Sequence, residues 1–201
     1  VTPVDFVPVP VRLVVLASGT GSTLQEVINA AVAPDYPATV VAAGSDRPGC
    51  LAMQRAVDAG LPTFTHALSD FSDRSAWNSA VADDIAQWEP GLVVLAGFMR
   101  VLSPETVNRF KIINTHPSLL PSFPGAHAIR DALVHGVAVT GVTVHWVDAG
   151  LDSGQIIAQT AVPVLDGDTA EDLLARVQAV EKPLFIKTIR QLCNSIEESS
   201  K

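Results

Sequence analysis

Residues 11–17 (VRLVVLA) form a β-branched apolar run that leads without a break into Ser18-Gly19-Thr20-Gly21-Ser22-Thr23. Apolar residues then recur at helical spacing, at Leu24, Val27, Ile28 and Ala31. A run that is apolar at successive positions fits a strand buried on both faces, which requires helices on both sides of its sheet. The same order repeats along the chain. Residues 39–43 predict a second strand, and residues 51–59 a helix that Gly60 and Pro62 stop. Ser72 or Asp73 can cap a helix carrying Trp77, Val81, Ile85 and Trp88, with both tryptophans read as core and Pro90 as the end. Residues 91–96 (GLVVLA) return to a buried strand. This alternation predicts an α/β fold, a three-layer, open, mostly parallel twisted sheet of the Rossmann-like kind.

The pattern changes after residues 111–115 (KIINT), a further strand candidate. Residues 140–147 alternate and residues 155–164 form another strand, as expected of an antiparallel sheet edge. A last helix is predicted over 169–191, burying Leu173, Leu174, Val177, Val180 and Leu184, with Pro183 kinking or breaking it. The expected organisation is an extended, proline-containing leader over 1–10, one domain over 11–192 and a polar tail over 193–201, frayed from Glu197. The chain opens on Val rather than Met, so the natural start is expected to be trimmed or to lie upstream.

Composition removes several function classes. With 48% hydrophobic and 17% charged residues there is material for a sizeable core. The net charge of −8, without a Lys/Arg cluster, argues against a nucleic-acid partner. No stretch is long and apolar enough to span a membrane, and the leader lacks the basic region and cleavage site of a secretory signal. Cys50 and Cys193 show no metal-ligand spacing and read as buried thiols in a reducing compartment. The expectation is a cytoplasmic protein. The oligomeric state stays open, a homodimer included.

In open sheets of this kind ligands bind beyond the carboxyl ends of the strands. The loop over 18–23, the turn over 97–102 and the turn over 114–124 are expected to meet on that edge, and three segments of the chain carry the chemistry. The SGTGST loop has the glycines for a tight turn and a helix start that aims N–H groups at an anion. It differs from a dinucleotide fingerprint, because Leu24 stands where the third glycine would be and Asp46 lies late for the ribose acid. The second segment runs from Asn114-Thr-His116 to Gly125, its prolines fixing the path of the loop. Asn114 and His116 are two residues apart on extended backbone, so both side chains emerge on one side. An amide beside an imidazolium suits an oxyanion forming at an acyl carbon. The third segment, Thr143-Val-His145-Trp-Val-Asp148-Ala149-Gly150-Leu151-Asp152-Ser-Gly154, lets glycines fold Asp152 back towards the strand ends.

Together these segments resemble the phosphoribosylglycinamide formyltransferase family over most of the chain from Arg12 to Leu192. The most specific stretches are AGFMRVLSP, NTHPSLLPSFPG and VDAGLDSGQI. The resemblance implies that fold, 10-formyltetrahydrofolate as co-substrate, glycinamide ribonucleotide as formyl acceptor and no metal. It implies catalytic roles for Asn114, His116 and Asp152, with His145 in support. It implies a substrate site at Gly19, Thr20, Gly21, Ser22, Thr23, Gln178 and Glu181. The folate would lie along Arg74, Met99, Arg100, Val101, Leu102 and Asn114, and along Asp148, Ala149, Gly150, Leu151 and Asp152. Thr20 and Thr23 depart from the pattern, since many relatives carry Asn there, as does Lys182, where a histidine is commoner. His66, His127 and His135 read as surface or loop histidines.

Three rivals stand beside this reading. A metal hydrolase could use His116, His145 and Asp152, but no HExxH or comparable spacing is present. The methionyl-tRNA formyltransferase family shares the folate chemistry but normally carries a further tRNA-holding domain. A non-catalytic nucleotide-binding module would need only the glycine loop and leaves Asn114, His116 and Asp152 without a role.

Overall fold

The computed structural model describes residues 9–199. Strand β1 (Val11–Leu16) is central, and its residues divide the core. Leu13 and Val15 point into one apolar cluster, Val14 and Leu16 into another, as period-2 geometry requires of a strand covered on both faces. The first cluster packs helices α1 (Ser22–Ala31), α2 (Leu51–Asp58) and part of α6 (Ala170–Ser199) on the sheet. The second packs α3 (Arg74–Gln87) and α4 (Pro104–Arg109) on the opposite face. All four of these β1 side chains are buried. Each contributes about 1.5–3 kcal/mol by leaving water.

The remaining strands are β2 (Ala38–Ser45), β3 (Thr63–Thr65), β4 (Leu92–Leu95), β5 (Ile112–His116), β6 (Val139–Trp146) and β7 (Ile156–Pro163). One sheet results, in the order β3-β2-β1-β4-β5-β6-β7. Neighbours from β3 to β5 run parallel, while β6 and β7 join antiparallel, as the alternation over 140–147 led one to expect. The chain leaves β1 towards β2 on one side and returns to β4 on the other. That reversal opens a crevice at the carboxyl ends of β1 and β4.

Three elements escaped the sequence reading besides β3: α4, the short helix α5 (Ala128–Val134) and a 3-10 turn over Leu68–Asp70. Asp73 is the cap of α3, its carboxylate accepting the Ala76 N–H at 2.8 Å. Trp77 is buried as expected, while Trp88 is only half-buried. His127 and His135 lie exposed. His66 differs from a plain loop residue: its ring pairs with Asp84 at 2.6 Å and packs against Phe64 and Phe71. Cys50 and Cys193 are both thiols; Cys193 is buried and Cys50 half-buried. The expected leader falls largely on residues 1–8, outside the described residues; Val9 and Pro10 are exposed and irregular.

The largest correction concerns α6. It neither breaks at Pro183 nor ends at residue 191 but runs through Ser199, so residues 193–199 are helix rather than tail. Leu173, Val177, Phe185, Ile189 and Cys193 are buried along one face, whereas Leu174 is exposed. Proline inside a helix costs about 3 kcal/mol through a lost hydrogen bond and a ring clash. Burying several large side chains outweighs that cost, and the Pro183 ring itself sits on the exposed side. Pro183→Ala is therefore expected to stabilise the chain by about 1–3 kcal/mol in urea unfolding. A loss of stability would show that packing has come to depend on the proline.

Candidate active site

Asn114 and His116 stand two residues apart on β5 and share a face of the sheet. The antiparallel register sets Asn114 opposite His145 and His116 opposite Thr143, so His145 shares that face too. The hydrogen bonds then fix ring states. His145 Nδ1 lies 2.9 Å from the Trp146 carbonyl, which can only accept, so Nδ1 carries a proton. In the neutral ring Nε2 is then an acceptor, and the Asn114 amide nitrogen donates to it at 3.4 Å. This sets the amide's orientation and leaves its second N–H directed elsewhere. His116 Nε2 donates to the Phe123 carbonyl at 2.8 Å, which turns Nδ1 towards Asp152 Oδ2 at 3.4 Å.

Asp152 reaches this position by an unusual backbone. Its φ is 52°, a left-handed conformation that non-glycine residues seldom adopt. Gly154 follows, where an added Cβ would stand 1.7 Å from the Trp146 carbonyl oxygen, so only glycine permits this return. Asp148 holds the same loop, accepting from Gly150 N–H at 3.0 Å and from Ser153 Oγ–H at 2.8 Å. Asp152 Oδ2 accepts the Gly125 N–H at 2.7 Å, and Oδ1 lies 3.7 Å from His145 Nε2. One carboxylate thus faces two imidazoles. Side-chain exposure is only 6% at His116 and 11% at Asp152, so water screens the pair poorly.

The loop from His116 to Gly125 is braced from β6 and β7. Thr143 Oγ1 donates to the Ser118 carbonyl and accepts from Leu120 N–H, while Gln159 Nε2 donates to the Leu120 carbonyl. Gln159 did not stand out in the sequence, whereas Thr143 opens the third segment read from it. Alternation marked Thr143 as strand but gave no sign of its partners.

These residues open onto a cleft of about 340 Å³. Asn114, His116, His145 and Asp152 line it with Met99, Arg100, Val101, Leu102, Asp148, Gly150 and Leu151, all named from the sequence, His145 in a supporting role. Ala149 and Arg74 do not line it; Arg74 holds the rim instead, donating to the Val101 carbonyl at 2.7 Å. Leu95, Phe98, Pro117, Ala126 and Val147 also line the cleft and were not singled out from sequence. Met99, Val101 and Leu151 are exposed at its mouth, an apolar surface suited to a flat organic ligand.

A second group lies apart from the cleft. Gly21, with φ 71°, sits at the start of α1, and a Cβ there would come within 2.5 Å of Ala52 Cα. No side chain caps this helix, which leaves the first N–H groups directed at the loop. Gly19 and Thr20 are exposed, and Ser22 and Thr23 half-buried. Thr23 Oγ1–H donates to Glu181 Oε1 at 3.3 Å, joining the loop to α6. Burial holds the Glu181 carboxyl above its ordinary range, against smaller lowering effects of the Thr23 hydroxyl and Lys182. Gln178 lies one turn earlier on α6 and is exposed. None of these residues lines the cleft.

Asp46, weighed from sequence as a ribose acid, is already engaged by Ser18 and Arg100 and does not face a ligand as a free carboxylate. Among the described residues no set of three or more His, Cys, Asp or Glu side chains is arranged to hold a metal ion. No helix among them is long and apolar enough to cross a membrane.

The formyl transferase family pattern matches residues 11–189. The phosphoribosylglycinamide formyltransferase of Mycobacterium tuberculosis is 53% identical over 185 residues, covering 91% of this chain and 85% of that protein. Its counterpart from Escherichia coli is 42% identical over 176 residues, covering 87% and 83%. The crystal structure of glycinamide ribonucleotide transformylase 1 from Symbiobacterium toebii superposes with a TM-score of 0.89 at 40% identity, covering 92% of this chain and 89% of that one. Sheet order, cleft and sequence likeness agree: the chain belongs to the formyl transferase family, among the phosphoribosylglycinamide formyltransferases.

Proposed function

We propose that the chain transfers the formyl group of 10-formyltetrahydrofolate to the amine of glycinamide ribonucleotide, in the cytoplasm and as a step of purine synthesis. The observation that carries the mechanism is the convergence of Asn114, His116 and Asp152 on one cleft. The folate lies in that cleft, its ring system against the apolar mouth at Met99, Val101 and Leu151. The ribonucleotide phosphate lies at the loop Gly19–Thr23 with Gln178 and Glu181 beside it. The relatives' names support formyl transfer to phosphoribosylglycinamide, and the separation of the two groups of residues suits two ligands that meet at His116.

The amine nitrogen attacks the formyl carbon, forming a C–N bond and a tetrahedral centre with a negative oxygen. The second N–H of Asn114 and the Nδ1–H of protonated His116 donate to that oxygen. Asp152 faces Nδ1 of His116 at 3.4 Å and keeps the ring turned towards the reacting centre. The amine loses one proton, relayed by Asp152 and water to N10 of the folate, and the bond from carbon to N10 breaks. The amine is already a nucleophile, so no covalent enzyme intermediate is needed.

Turnover of purified protein with both substrates, followed spectrophotometrically, tests the reading. His116→Ala and Asn114→Ala are each expected to lower kcat about 100- to 1000-fold with the circular dichroism unchanged. Near-parental turnover in either would contradict the assignment.

Glu181 yields a separate test. Its folded-state pKa lies above the ordinary glutamate value of 4.5, so the native state holds that proton more tightly than the unfolded chain does. This contribution is fully present below 4.5 and is lost as pH rises through the raised folded value. Glu181→Gln resembles the protonated form. It is expected to be more stable than the parent at neutral pH, with the difference vanishing in acid, while KM for glycinamide ribonucleotide rises roughly 10-fold. Parallel unfolding stabilities of the two proteins across pH, or an unchanged KM, would contradict this.

A further inference from the structure

We propose that Asp46 is a positioning residue for the folate-facing wall, its buried carboxylate setting the Met99–Arg100 backbone and side chain from behind. The inference deepens the formyl-transfer reading and rests on it for its kinetic part.

Three adjacent strands, β2, β1 and β4, end on this side of the sheet, and each is followed by part of the cluster. Asp46 follows β2, Ser18 lies just beyond β1, and Met99 and Arg100 follow β4. Neighbouring strands lie about 4.8 Å apart, so a short carboxylate can bridge what their ends carry. Asp46 Oδ1 accepts the Ser18 hydroxyl proton, and Oδ2 accepts from Arg100 Nε at 2.7 Å. Ser18 Oγ in turn accepts the Met99 N–H at 2.8 Å, and Ser18 N–H donates to the Gly97 carbonyl at 3.1 Å. The Asp46 side chain is wholly buried, whereas that of Arg100 is 36% exposed.

Asp46 therefore does not touch the cleft; Met99 and Arg100 line it. A buried carboxylate left unpaired is costly, so this one holds its partners where they meet it. Beyond Arg100 the wall is held by Arg74 at the Val101 carbonyl and by Asn78 at the Ser103 N–H. Gly97 has a φ of 73°, Met99 is 63% exposed, and the apolar anchors nearby are Phe98 against Trp77 and the buried Leu102. The clamp fixes Arg100 by Nε, which settles the direction of the guanidinium plane and presents its terminal nitrogens in one orientation. A charge-bearing edge of the cleft is thereby set from two strands away.

The test uses the full chain with Asp46→Asn, Ser18→Ala, Arg100→Gln and the double variant Asp46→Asn/Arg100→Gln. In Asp46→Asn the KM for 10-formyltetrahydrofolate is expected to rise about 10-fold, the scale of one lost charge-assisted hydrogen bond, with kcat near the parent's. If Asp46 acts through Arg100, the double variant is no worse than the worse single one, whereas independent effects add. Amide hydrogen exchange at Met99 is expected to quicken in Asp46→Asn and in Ser18→Ala, a readout that needs no turnover. A parental KM, additive losses, or unchanged Met99 exchange in both variants overturns the proposal. Absence of turnover in the parent chain would instead sink the formyl-transfer reading, and the two failures are thus distinguishable.

Discussion

The Asp152 carboxylate ties together the parts of the active site that the chain keeps far apart. It accepts a hydrogen bond from Gly125, faces Nδ1 of His116 and lies near Nε2 of His145, so the loops at 117–125 and 147–155 converge on it. At 11% side-chain exposure this charge keeps much of its field, because little water screens it. Its position is bought by a left-handed backbone at Asp152 and a glycine at 154 that no larger residue could replace without moving the Trp146 carbonyl. Local strain here serves the placement of a functional group.

The sheet prepares the place to which that carboxylate returns. Period-2 geometry puts Asn114 and His116 on one face of β5, and the antiparallel turn of β6 sets His145 beside them. Had β6 been parallel, or slipped by one residue, His145 would face the other side and Asn114 would lose the acceptor that orients its amide. The parallel half has a different task. Its strand order reverses between β1 and β4, opening the crevice beside which the glycine loop sits, and α6 brings Glu181 to Thr23. The donors proposed for catalysis and the amides proposed to hold the phosphate are therefore carried by different parts of one sheet.

Much of this was legible in the sequence because the signals were local. Apolar runs at 13–17 and 91–96 marked doubly buried strands, and the Asn114/His116 spacing placed both side chains on one face. What stayed hidden depended on tertiary partners. Residues 63–65 form a strand only beside β2, and no three-residue run can announce that by periodicity. Pro183 reads as a helix breaker, yet Val177, Phe185 and Ile189 bury enough surface to carry the helix through it. Asp46 reads from the sequence only as a ribose acid that lies late for that role; the meeting of three strand ends gives it Ser18 and Arg100 as partners. Ser103-Pro104-Glu105 is a helix start that could have been read, since Ser103 caps α4 and Pro104 opens it.

In the proposed mechanism a single carboxylate, its side chain only 11% exposed, organises the chemistry at His116. Asp152→Asn keeps the shape of the side chain, retains an acceptor for the Gly125 N–H and removes the charge. Turnover with 10-formyltetrahydrofolate and glycinamide ribonucleotide, compared with the parent at equal fold stability, isolates that charge. The account predicts a fall of at least about 100-fold in kcat, with KM values little changed. Turnover close to the parent's would contradict it, because the geometry would then suffice without the charge.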